Sequence, residues 1–139
     1  MSVYGPQQLV QTAFAEISAN QTTTSTTFAD FLTITLVTGG NSTLLMYFDA
    51  SFSSSSDNDG GKFQIVIDGT AYRGTASGGA KSSNGDMQAC SLSYRSAQLA
   101  PGSHTVKIQW ASINGATLTI NPVTTILSHA SLLVEEVTV

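Results

Sequence analysis

Residues 99–139, LAPGSHTVKIQWASINGATLTINPVTTILSHASLLVEEVTV, contain three strand-like runs separated by turn signals, and their reading decides the fold. In the first run His104, Val106, Ile108 and Trp110 share one face while Thr105, Lys107 and Gln109 take the other, the period-two pattern of a half-buried strand. Pro101 and Gly102 open that run. Past Asn114-Gly115, the residues Ala116, Leu118 and Ile120 alternate with Thr117, Thr119 and Asn121, and the short separation predicts that the two runs pair as a hairpin. Pro122 closes the second run. In the third, Ala130, Leu132 and Val134 lie on one face, whereas Leu133 and Val137 lie on the other. A strand that is apolar on both faces wants cover on both, and a small domain offers one core, so a second copy is expected against the outer face.

The upstream chain repeats this grammar. Residues 7–19 fit either period, and the alternation of Val10, Thr12 and Phe14 favours a strand. Leu32, Ile34 and Leu36 oppose Thr33 and Thr35 in a run ended by Gly39-Gly40. Leu44, Met46, Phe48, Ala50 and Phe52 point inward in the most apolar run, with Leu45 and Tyr47 on its back. Phe63, Ile65 and Ile67 lead into Asp68-Gly69, a type I′ turn signal, so a hairpin through Tyr72 and Arg73 is expected. Cys90, Leu92 and Tyr94 mark one more strand. The tracts 53–61 (SSSSDNDGG) and 74–86 have the composition of exposed loops. Eight or nine short strands without a long helix predict an all-β fold: one antiparallel β-sandwich, a jelly roll of about eight strands, spanning residues 11–139 behind an N-terminal arm of residues 1–10 that carries Tyr4 and Pro6.

Composition narrows the function classes. With 139 residues the chain has length for one domain with a real core. Only 10% of residues are charged, the balance being made up by hydroxyl and amide residues, which suits pleated surfaces and surfaces covered by other subunits. The net charge is −4, and the basic residues Lys62, Arg73, Lys81, Arg95 and Lys107 are scattered, which argues against nucleic acid as a partner. Cys90 is the sole cysteine, so no intrachain disulfide can form. No apolar run approaches a membrane-spanning length and the first residues lack a signal-peptide pattern, so neither membrane insertion nor Sec export is expected.

No motif for catalysis emerges. Cys90 with His104 or His129 could be tried as nucleophile and base, but Cys90 falls mid-strand, where a small buried hydrophobe is the simpler reading. Two distant histidines without paired cysteines make a poor zinc set. Asp57, Asp59 and Gly60 form a D-x-D-G fragment with Asp68 at the twelfth position of a calcium loop, yet the sixth position is Lys62 where a glycine is wanted and residues 63–67 read as strand. A solvated loop is therefore expected at Asp57 and Asp59. Glu135 and Glu136 are adjacent in a strand and point to opposite faces, so they cannot work as an acid/base pair. Trp110 shares its face with Val106 and Ile108, which makes it core, while Tyr72 beside Arg73 is the aromatic best placed to meet a ligand such as a glycan. No catalytic residue, cofactor or metal ligand is assigned.

The run from Leu99 to Val106, then Ile108-Gln109-Trp110, the Ala116-Thr117-Leu118 strand and the closing residues 129–137 resemble the end of small jelly-roll proteins of tailed phages, and the likeness extends through residues 22–36 and 62–74. Those proteins are similar to the trimeric domains of the tumour-necrosis-factor and complement-C1q type. The resemblance implies a non-enzymatic homotrimer on a virion surface, either a head decoration protein bound to the major capsid protein or a fibre tip. No shaft or collagen-like repeat precedes the domain, which favours the decoration role. In that setting Leu45, Tyr47, Leu133 and Val137 are expected at the interface between copies, Tyr4 and Pro6 in the arm, and Tyr72 and Arg73 at a ligand. A receptor- or carbohydrate-binding module and an extracellular filament subunit are the alternatives.

Overall fold

The computed structural model describes residues 7–56, 59–78, 87–120 and 130–138, and within them every regular element is a strand. The strands are β1 (Leu9–Ile17), β2 (Gln21–Thr23), β3 (Ala29–Thr38), β4 (Ser42–Ser54), β5 (Gly60–Ile67), β6 (Thr70–Gly78), β7 (Gln88–Arg95), β8 (Gly102–Ser112), β9 (Leu118–Ile120) and β10 (Ala130–Thr138). All pairings are antiparallel. One sheet runs β1-β10-β4-β9-β2 with β7 also on β4, and the other runs β3-β8-β5-β6. Phe52 pairs with Gln88 of β7 on one side and Ile120 of β9 on the other, so β9 and β10 follow one another along the flank of β4 opposite β7. β2 and β1 extend those two in turn. The first sheet is thus four lanes wide and faces four strands of the second, the two-layer jelly roll expected from the strand count. No described helix is long and apolar enough to cross a membrane.

The alternation read from the sequence fills the space between the sheets. Leu44, Met46, Phe48, Ala50 and Phe52 of β4 are buried, as are Phe63, Ile65 and Ile67 of β5 and Val106, Ile108 and Trp110 of β8. The Phe63 ring lies 5.4 Å from Phe48 and 5.5 Å from Phe52, both on the opposite sheet. Trp110 stacks on Phe31 with centroids 4.5 Å apart. Strict alternation from Leu32 would turn Phe31 outward; a register shift between Asp30 and Leu32 lets both residues face the core.

Asp68 (φ 49°) and Gly69 (φ 84°) occupy the left-handed region that a two-residue hairpin turn requires, and β5 and β6 pair as expected. The other expected hairpin does not form. β8 pairs with β3 and β5, whereas β9 pairs with β4 and β2, so residues 113–117 carry the chain from one sheet to the other. Periodicity reports which face is buried but not which sheet a strand joins. Of the tract 53–61, expected to be an exposed loop, β4 takes Ser53 and Ser54, β5 starts at Gly60, and Asp59 is only 1% exposed. Likewise β6 runs through 74–78 of the tract expected to be loop. β1 begins inside the expected arm, at Leu9, while Tyr4 and Pro6 lie outside the described residues.

Gly61 shows how closely the sheets meet. A Cβ there would stand 2.9 Å from Phe63 Cε2 and 3.3 Å from both Leu118 Cδ1 and Phe52 Cε2. Overpacking a filled core costs about 1–3 kcal/mol, so urea unfolding of Gly61→Ala is expected to show a loss of that size with an unchanged slope; a variant as stable as the parent would mean that the aromatic contact is loose.

Candidate functional site

Two buried carboxylates tie the loops at opposite ends of the sandwich. At the end where β4 finishes, Asp59 Oδ1 accepts from the Gly60 and Asn114 N–H groups at 2.7 and 2.8 Å, and Oδ2 accepts from Ser112 Oγ and the Ala116 N–H at 2.7 and 2.6 Å. Burial pushes the Asp59 pKa up, but the Ser112 hydroxyl and the three N–H donors outweigh it and hold the carboxyl below its usual range. Four donors fill the lone pairs of one carboxylate. Asp59 is therefore the pin of the 112–116 crossover rather than a calcium ligand or a solvated loop residue, and Asp57 lies outside the described residues.

At the other end, Glu136 is inside and accepts from Ser42 Oγ at 2.7 Å and Gln11 Nε2 at 2.6 Å, joining β10, β4 and β1. Burial raises its pKa, and these bonds together with the Gly39 N–H lower it further than burial lifts it. Nearby, His104 Nδ1 meets Asp68 Oδ2 and Nε2 meets the Ala100 carbonyl, each at 2.7 Å. Asp68 Oδ1 also accepts from the Thr105 N–H at 2.9 Å. Both ring nitrogens face acceptors, which favours the imidazolium and raises its pKa through the Asp68 bond first and the Ala100 bond second. His104 has no nitrogen left for general-base work. Cys90 is buried, and that burial, with the Asp49 charge second, pushes its thiol up to about 11, so it is protonated and inert at neutral pH. His129 lies outside the described residues.

The remaining chemistry is on the outer faces. In the first sheet the register sets Phe14 beside Leu133, Leu133 beside Tyr47 and Tyr47 beside Ser93. Leu133 and Leu45 are half-buried and Tyr47 is 42% exposed. Val137 differs from the expectation of a face left for another copy: between Leu9 and Thr43 in the register, it is already 6% exposed within one chain. Leu9, Val10, Phe14 and Val37, none of which the sequence marks for an interface, are 58%, 52%, 60% and 66% exposed. Leu9, Val10 and Phe14 lie on β1, the edge strand of the first sheet, and Val37 on β3, the edge strand of the second that lies beside it, where Gln11 Nε2 donates to the Val37 carbonyl at 2.7 Å.

The opposite flank is polar. There β6 lies beside β7, the Tyr72 ring stacks on Tyr94 at 5.6 Å, and Tyr47, Asp49, Arg73, Thr75, Ser91 and Ser93 line a cleft of about 380 Å³. A second hollow of about 410 Å³ shares Tyr47, Arg73 and Ser93 with it and reaches Leu45 and Arg95. The structure thus brings Tyr47 and Arg73 together, and separates both from Leu133's neighbour Phe14.

No family model and no curated protein matches the sequence. Among solved structures, part of dimeric latent PorU from Porphyromonas gingivalis superposes on 88% of this chain with a TM-score of 0.50 and 7% identity, the match spanning 13% of that chain. The carbohydrate-binding module CBM36, solved with calcium and xylotriose, covers 91% of each chain with a TM-score of 0.43 and 15% identity. The VP2 subviral particle of infectious bursal disease virus gives a TM-score of 0.44 and 10% identity over 91% of this chain and 39% of its own. The PorU match is a likeness of fold; the other two superpose more loosely still.

The ion pair at His104 gives a pH signature. Its folded pKa lies above its unfolded value of about 6.5, so the pair's stabilisation is fully present below that pH and disappears as pH rises through the folded value. NMR titration is expected to place His104 above ~6.5 in the parent and lower in Asp68→Asn; equal titration in both would show that the pair does not hold in solution.

Proposed function

We propose that this chain is a non-catalytic architectural module of a viral particle, a jelly roll whose copies associate as a homotrimer through the β1/β3 flank and decorate a capsid. The observation that carries the reading is the exposure of Leu9, Val10, Phe14 and Val37 on one flank, each more than half open to solvent. Scattered surface hydrophobes are ordinary, but four large ones gathered along adjoining strands form the apolar centre that an interface between copies uses. The rim is supplied by Thr12, Thr33 and Thr35, which are exposed and uncharged. A closed ring about a threefold axis covers this flank on every copy without leaving an open end. Leu133, next to Phe14, falls within the same contact, whereas Tyr47, one strand further on, lies beyond it.

The virion setting rests on the resemblance of residues 99–110 and 129–137 to phage jelly-roll proteins, and the major capsid protein is the partner that resemblance implies. Mechanical cementing asks for buried area and loops that hold their shape, which the saturated carboxylates of Asp59 and Glu136 favour; it asks for no cofactor.

Light scattering on a sizing column is expected to give the mass of three chains for the parent and of one chain for Phe14→Ser combined with Val37→Ser, with the thermal unfolding of the exposed-site variant little changed. A monomeric parent at micromolar concentration, or a polydisperse mass typical of a filament, would contradict the trimer.

A further inference from the structure

We infer that the cleft between β4, β7 and β6 is a binding site for an acidic glycan, with Arg73 holding the sugar carboxylate and Tyr47 facing the sugar ring. The site is independent of the assembly described above, because it lies on the flank opposite Leu9, Phe14 and Val37.

Size and lining set the ligand class. Two hollows of about 380 and 410 Å³ share Tyr47, Arg73 and Ser93 in their walls, and each is within the range of small-ligand sites. Ser91 and Ser93 stand two residues apart on the outer face of β7, with Tyr47 and Asp49 beside them on β4 in register. Thr75 adds a hydroxyl from β6. A wall of hydroxyls suits a ligand that is itself rich in hydroxyls and suits an apolar one poorly. Tyr47 is partly exposed and presents rigid apolar surface for the C–H face of a sugar, while Tyr94, turned toward the core and stacked on Tyr72, closes the β6/β7 end of the second hollow.

Charge selects among sugars. Arg73 is exposed and makes no ion pair or hydrogen bond with any described residue, while the neighbouring Arg95 donates to the Gln7 side-chain oxygen. A guanidinium with its fork open on a chain of net charge −4 is matched by a planar carboxylate, which it takes in two parallel bonds. Asp49 on the same wall disfavours a compact anion such as phosphate, which would sit against both groups. A glycan carboxylate is separated from its hydroxyls by the width of the ring, so the acid meets Arg73 while a hydroxyl donates to Asp49. One open guanidinium in the cleft is also too little for nucleic acid.

The test is calorimetric titration of the full chain with sialyllactose, lactose and inorganic phosphate. Sialyllactose is expected to bind in the millimolar range and lactose at least ~10-fold more weakly, the loss that goes with one bidentate charged pair. Arg73→Ala should weaken sialyllactose by a similar factor at an unchanged unfolding temperature, with Arg73→Lys in between and Tyr47→Ala also weakened. Equal affinity for lactose and sialyllactose, phosphate binding as tight as the sugar, undiminished binding by Arg73→Ala, or no binding of sialyllactose would each overturn the site. The Phe14→Ser, Val37→Ser variant separates this inference from the assembly: it should lose mass and keep the sugar.

Discussion

The contact of Phe63 with Phe48 and Phe52 across the two sheets is the constraint on which the rest of the molecule depends. Once these rings fill the space between the sheets, with Gly61 leaving room for them, the face of every paired residue is decided by the two-residue period. Glu136 and Asp59 are then carried inside at the two ends, where backbone and hydroxyl donors saturate them. Leaving those donors unpaired would be costly, so the crossover at 112–116 and the start of β4 are held by the same charges that burial would otherwise expel. The loops at both ends are therefore part of the core's architecture, and the outer faces are left free to differ.

They do differ, flank by flank. Where β1 adjoins β3 the exposed apolar side chains are Leu9, Val10, Phe14 and Val37; where β6 adjoins β7 the exposed side chains include Tyr47, Tyr72, Arg73, Ser91 and Ser93. The first composition favours another copy of the chain and the second a polar ligand. One sandwich can carry both because two sheets closed against each other have two seams, and what is exposed along one seam does not disturb the other.

Much of this fold was legible in the sequence. The inward sets of β4, β5 and β8 and the Asp68-Gly69 hairpin were readable because alternation and turn chemistry are local properties. The pairing of β8 with β9 was misjudged for the complementary reason: Asn114-Gly115 looks like a hairpin turn, but the N–H groups of Asn114 and Ala116 are claimed by Asp59, more than fifty residues earlier in the chain. Phe31 was missed because a register shift breaks the period at Asp30. Of the surface residues, Tyr47 and Arg73 could be named individually, yet nothing local says that β4 and β6 bring them into one cleft. Val137 was expected against another copy, yet it is already covered within the chain, by neighbours that a single strand's pattern does not reveal.

Assembly as a homotrimer requires the β1/β3 flank to be covered. Hydroxyl-radical footprinting reads this directly, with Tyr72 on the far seam as the internal reference. Phe14 is expected to oxidise readily in dilute protein and to become protected as concentration rises, while Tyr72 keeps its reactivity. If Phe14 stays as reactive as Tyr72 at every concentration and on the assembled particle, the flank faces water and the architectural reading is wrong.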